Sequence, residues 1–249
     1  MKFIEYENSI DLLDKNIIGI DEAGVSDYFG PMCSAAVFVK NENISKIIEL
    51  GVKDSKLLKD EQIKLLATKL KKSNLISYSC HQLSPSGFNK LNKNYNVNEL
   101  KMFTHLNAFN NLFAKIKNNK TIDYIFIDQY STYNTIKQYY NKFIVENNWA
   151  KLEPFNADVL LAHKAEKLHI SVAAASILAR DYYLTLMDIM SQKFNTVFPR
   201  GVRTKVEEFR NTFFNSIEND KNIINEVCKV SFKMKEPEKH ETVLVSLFD

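Results

Sequence analysis

Cysteine, glycine and proline are scarce in this chain, and each scarcity excludes something. The three cysteines, Cys33, Cys80 and Cys228, are odd in number, widely spaced and form no CxxC pair. That argues against a disulfide framework and against a thiolate zinc site. A reduced, cytoplasmic protein is the expectation. The opening MKFIEYENSI has no apolar core of signal-peptide length. No apolar run approaches the ~20 residues needed to span a bilayer, so no membrane partner is expected. Charge of one sign is also lacking: the net charge is +3 among 249 residues. So mild an excess permits nucleic-acid binding without predicting it. Only six glycines and five prolines are present, and no low-complexity linker or internal repeat is seen. Gly19, Gly24, Gly30 and Pro31 fall within thirteen residues, which concentrates tight backbone geometry there.

What is present is 45% hydrophobic and 25% charged residues, enough for one sizeable core rather than two small ones. The expected organisation is a single, monomeric catalytic-size domain over residues 1–235. A tail over 236–249 follows the charged, Pro237-containing stretch from Lys233 to His240. Strands are expected at Asn16 to Asp21, Cys33 to Val39, Leu75 to Gln82 and Asp123 to Asp128. Helices are expected at Lys59 to Lys71, Asn98 to Asn118, Tyr133 to Asn147, His169 to Phe194 and Lys205 to Ile217. Hairpin strands first and strand–helix units later make the class α/β.

Two segments share a pattern: IIGID ends at Asp21 and IFID ends at Asp128. Buried parallel strands read as continuous apolar runs, and active sites of such sheets gather at their carboxyl ends. Neighbouring parallel strands would set Asp21 beside Asp128, with Glu22 next in the chain. Glu166 precedes the small-residue helix start Ala173 to Ala175. Crowded carboxylates need cations between them, and hard oxygen donors select Mg²⁺ or Mn²⁺. Two such ions roughly 4 Å apart suit phosphodiester hydrolysis. Taken singly, each residue has an ordinary explanation: an aspartate closing a strand is usually a turn former or helix cap, and Glu166 a solvated surface residue. The spacing His163–Glu166–His169 is not HExxH and does not put three ligands on one helical face, so zinc is disfavoured.

The segment IGIDEAGVSDYFGP, Ile18 to Pro31, resembles the opening motif of the type 2 ribonucleases H. KDSK at Lys53 to Lys56, IDQ at Ile127 to Gln129, KAEKLHISVAAASILAR at Lys164 to Arg180 and PRG at Pro199 to Gly201 are similar to the later motifs, in order and spacing. DYFGP, IDQ and Glu166 resemble the ribonuclease HIII branch rather than HII. The resemblance implies a ribonuclease H-like fold, a mixed five-stranded sheet flanked by helices. It implies that Asp21, Glu22, Asp128 and Glu166 are catalytic and bind two Mg²⁺ or Mn²⁺ ions, and that the RNA strand of an RNA–DNA hybrid is cut to leave 5′-phosphate and 3′-hydroxyl ends. Asp181 falls outside the motif positions and reads as an exposed helix residue.

The family reads the 2′-hydroxyl with a Gly-Xaa-Gly turn, which here is Gly24-Val25-Ser26; serine departs from the pattern, at a cost if that position needs positive φ. Lys53, Ser55 and Lys56 are expected to hold phosphates, with Arg200 and Arg203 on the same surface. With about sixteen residues before the first core strand, the substrate-binding domain usual in the family is expected to be missing. At the other end LVSLF, Leu244 to Phe248, loosely resembles peptides that dock on sliding clamps, or else staples onto the core; clamp binding with and without Val243 to Asp249 separates the two. The altered turn leaves open a hybrid-binding protein without catalysis, and the fold also leaves open a DNA-directed nuclease.

Overall fold

The computed structural model describes residues 1–52, 58–116, 121–202 and 204–232. In chain order its elements are β1 (Phe3–Glu5), β2 (Ile17–Ala23), β3 (Met32–Val39), α1 (Ile44–Glu49), α2 (Asp60–Lys72), β4 (Ile76–Leu83), α3 (Pro85–Leu91), α4 (Val97–Ile116), β5 (Tyr124–Asp128), α5 (Tyr133–Asn141), β6 (Asp158–Ala162), α6 (Ile170–Lys193), α7 (Thr204–Ser216) and α8 (Lys221–Val227). The sequence-based elements all lie within these bounds or a few residues of them, except that the helix after Tyr133 ends in a wider π-turn, Lys142–Glu146.

The sheet has six strands in the order β1-β6-β5-β2-β3-β4, one more than expected. β1, β6, β5 and β2 run parallel; β3 is antiparallel to both its neighbours. The extra strand is β1, which pairs Phe3 with Val159 and Glu5 with Leu161 at the edge. Three residues with only Phe3 buried carry no readable period, so the pairing is set by β6 and not by local pattern.

Both faces of the sheet are covered, which is why all eight residues of β3 are buried. Side chains alternate between two cores. Cys33, Ala35, Val37 and Val39 face the layer of α6, α2 and α7. Ala36, Phe38, Ile18, Ile20, Ile125 and Ile127 face α4 and α5. The same alternation sends Gly19 toward α6, where the small residues Ala173, Ala174 and Ala175 allow close approach. Burial of α6 on more than one side corrects the expectation for Asp181. That residue is 6% exposed and pairs with Lys71 at 2.6 Å, because α2 packs across the helix face it occupies.

Lys229 is fully buried, donating from Nζ to the Gly30 carbonyl at 2.8 Å and lying 5.6 Å from the Phe232 ring. Burial lowers its pKa to about 8, from an ordinary 10.5. Between those values the unfolded chain keeps a proton that the folded chain has released, so stability climbs as pH rises through that window. Replacing Lys229 with Met should flatten this climb. Melting temperatures of the two proteins at intervals from pH 7 to 11 check it; parallel curves would refute it.

Candidate active site

The site grows from two neighbouring strand ends. β2 and β5 pair in parallel with Ile20 opposite Ile127, so the next residues, Asp21 and Asp128, stand side by side at the carboxyl ends. Period-two alternation puts both on the α6 side, where Ile17, Phe126 and Val172 form a small cluster. Asp21 Oδ1 accepts the Glu22 amide at 2.8 Å. Burial first, and then the Glu22 charge, push its pKa up to about 8; the Asp128 charge adds to this and a bond from Ser176 of α6 opposes it. Asp128 Oδ1 accepts the Ala165 amide at 3.1 Å. That bond ties the strand end to the 3₁₀ turn Ala165–Lys167, which follows β6 and carries Glu166. Lys164 enters this turn in the left-handed region, φ 59°, and Glu166 is 6% exposed. Neither surface solvation nor a helix cap describes these groups.

Glu22 is placed differently. As an even-numbered residue of β2 it leaves the sheet on the α4 side, opposite Ser34 of β3. Its Oε1 meets Lys101 Nζ at 2.7 Å and its Oε2 meets His105 Nε2 at 2.8 Å. Burial alone would raise this carboxyl, but the Lys101 charge and the His105 contact outweigh it and hold the pKa at about 2. Lys101 and His105 were not marked by the motifs; the only signal was a Lys and a His at i, i+4 within an apolar helix face.

The donors suit a hard divalent cation. Asp21 and Asp128 stand at adjacent strand ends, and the charges of Glu22 and Asp128 bear on Asp21, a crowding that a cation would relieve. Among the described residues no three His, Cys, Asp or Glu side chains form a ready-made cage. The alternative histidine set does not assemble: His163 is exposed and His169 Nδ1 lies 2.7 Å from Ser171 Oγ.

Beside these strand ends lies the turn expected to read the 2′-hydroxyl. Gly24 has φ 78°, and a Cβ there would lie 2.4 Å from the Pro31 carbonyl oxygen and 2.7 Å from the Tyr183 ring. Val25 packs on the α4-side core. Ser26 is exposed and is not among the described residues with positive φ. The second glycine's freedom is therefore not needed to form this turn. Ser26→Gly should shift the melting temperature by less than about 4 °C, downward through unfolded-chain entropy; a larger loss, read by calorimetry, would show serine contacts the fold depends on.

A cleft of about 450 Å³ opens between Gly24, Asp27, Arg180, Tyr183 and Arg200. Arg180 and Arg200 share one counter-ion, Asp60, each at 2.8 Å. Arg180 and Arg200 thus flank the cleft beside the Gly24 turn. Lys53, Ser55, Lys56, Arg203 and the LVSLF segment lie outside the described residues.

The family model described as Ribonuclease HII matches residues 18–235. Ribonuclease HIII of Bacillus cereus (strain ATCC 10987 / NRS 248) is 38% identical over 193 residues, which cover 77% of this chain and 58% of that protein. Ribonuclease HIII of Bacillus mycoides (strain KBAB4) matches over the same shares, also at 38%. The chain thus spans less than two thirds of the length of these curated relatives. Among solved structures, that of Bst-RNase HIII in complex with Mn²⁺ superposes with a TM-score of 0.78 at 29% identity, covering 89% of this chain and 68% of the other. Aquifex aeolicus RNase H3 superposes with a TM-score of 0.63 at 26% identity, covering 89% and 74%. With the sheet, the paired strand ends and the match over residues 18–235 in agreement, the chain belongs to the ribonuclease HII family.

Proposed function

We propose that this chain is an endonuclease that hydrolyses the RNA strand of RNA–DNA hybrids with bound Mg²⁺ or Mn²⁺. The observation that carries the reading is Asp21 beside Asp128 at adjacent parallel strand ends, with the Glu166 turn bonded to Asp128. The Mn²⁺ in the Bst-RNase HIII structure supports the same metal class here. Asp21, Asp128 and Glu166 would hold the ions, with Glu22 supplying the fourth carboxylate. When bound, such ions acidify water and neutralise charge at the leaving 3′-oxygen. The products would be 5′-phosphate and 3′-hydroxyl ends.

The remaining tasks fall to the chain itself. The Gly24-Val25-Ser26 turn offers backbone groups within reach of a minor groove, where the 2′-hydroxyl distinguishes RNA from DNA. Arg180 and Arg200, with Lys53, Ser55 and Lys56, would take phosphates without reading sequence. No histidine need act as a base: His169 is occupied with Ser171, and burial lowers its pKa to about 4.

The test is a gel with end-labelled RNA–DNA hybrid, a duplex with one ribonucleotide and an all-DNA duplex, each with Mg²⁺ or Mn²⁺. Cleavage of the hybrid alone or with the single-ribonucleotide duplex supports the reading. Cleavage of the all-DNA duplex would replace it with a DNA-directed nuclease, and a binding shift on intact hybrid with a hybrid-binding protein.

A further inference from the structure

We propose that Lys101 and His105 are positioning residues for Glu22, gripping its carboxylate from α4 so that it meets the metal site in one orientation; this rests on the metal-dependent reading above. Alternation along β2 separates Glu22 from Asp21 by a whole sheet face. A glutamate has three rotatable bonds, and nothing in β2 itself would aim its carboxylate at the strand end. Here both oxygens are engaged, Oε1 by Lys101 Nζ at 2.7 Å and Oε2 by His105 Nε2 at 2.8 Å. The two donors lie four residues apart on one helix and so project from the same face. His105 is wholly buried and Glu22 retains 14% side-chain exposure, so the grip is enclosed but open on one side.

The donors are themselves held. Lys101 Nζ stands 4.2 Å from the centre of the Tyr130 ring, and His105 meets that ring edge-on at 5.9 Å. Tyr139 lies parallel behind it at 6.4 Å. Tyr130 is two residues beyond Asp128, so one aromatic ring links the clamp to the other strand end of the site. A buried ion pair adds little net stability, because desolvation offsets the attraction. What the arrangement does supply is direction: a carboxylate has about four lone-pair sites, and two donors leave the others for a cation.

Partners that orient a ligating carboxylate are worth on the order of 10- to 100-fold in metal affinity or activity. Lys101→Met should therefore lower kcat by about that factor with KM for hybrid changed little, and should weaken Mn²⁺ binding, read by electron paramagnetic resonance in the absence of substrate, by about tenfold. Lys101→Arg should restore part of both. The comparison protein is Lys142→Met, which removes a 2.7 Å pair with Glu99 on the same helix but touches nothing at Glu22. Equal Mn²⁺ affinity and turnover in Lys101→Met and Lys142→Met would overturn the clamp. So would losses in Lys101→Met that follow melting temperature alone. If the wild-type protein cleaves no hybrid and binds no Mn²⁺, the metal-dependent reading and the clamp fall together; cleavage with an inert Lys101→Met substitution removes only the clamp.

Discussion

Asp128→Asn should abolish hybrid cleavage, on the order of a thousandfold or more, while leaving the protein folded. The substitution is close to isosteric. The amide oxygen of Asn can still accept the Ala165 amide, the 3.1 Å bond that ties the Glu166 turn to β5. The strand register with β2 and β6 is carried by backbone bonds and is unaffected. What disappears is one negative charge from the pair of strand ends, and with it a hard ligand for a divalent cation. Asp128 is also one of the charges that raise the Asp21 pKa, so its removal relieves repulsion in the metal-free protein. The expected signature is loss of activity with a melting temperature equal to or slightly above that of the wild type. Turnover within tenfold of wild type, in Mg²⁺ or Mn²⁺, would mean that Asp128 is not a ligand of the reacting site.

Gly19→Ala should be severely damaging although it adds a single methyl group. A Cβ at Gly19 would lie 2.3 Å from the Ser171 carbonyl carbon and 2.3 Å from the Val172 nitrogen, both backbone atoms at the start of α6. No rotamer change can clear a backbone, so α6 would have to move off β2, opening the core that Ala173, Ala174 and Ala175 close. The expected loss is about 4 kcal/mol or more, at the top of the range for overpacking. Gly201→Ala is the contrast: its φ is 92°, but nothing lies within 4 Å of a Cβ there, so only left-handed strain of roughly 1–2 kcal/mol applies. Denaturant midpoints of the two variants measure the difference; equal losses would show that α6 yields more easily than its packing implies.

The extent to which the sequence foretold this protein follows from the range of each signal. Asp21 and Asp128 were legible because each ends a short apolar run, and burial on both faces of a parallel strand writes such a run locally. The helices Lys59 to Lys71 and Asn98 to Asn118 were legible from 3.6-residue periodicity, within a residue or two of α2 and of α4 as far as its described end, Ile116. β6 was not, because four apolar residues, Val159 to Ala162, are too few to separate strand from helix. α1, α3 and α8 are six or seven residues long and escape for the same reason.

By itself, then, the sequence determined the α/β class and the apolar runs that end at Asp21 and Asp128, each written in residues close together in the chain. The tertiary structure alone decided the sixth strand, the burial of Asp181 against α2, the exposed setting of Ser26 outside the positive-φ region and the hold of Lys101 and His105 on Glu22. Glu22 and Lys101 are far apart in sequence. No local period encodes that pairing; it exists because packing α4 on one face of the sheet brings Lys101 and His105 to the side of β2 on which alternation leaves Glu22.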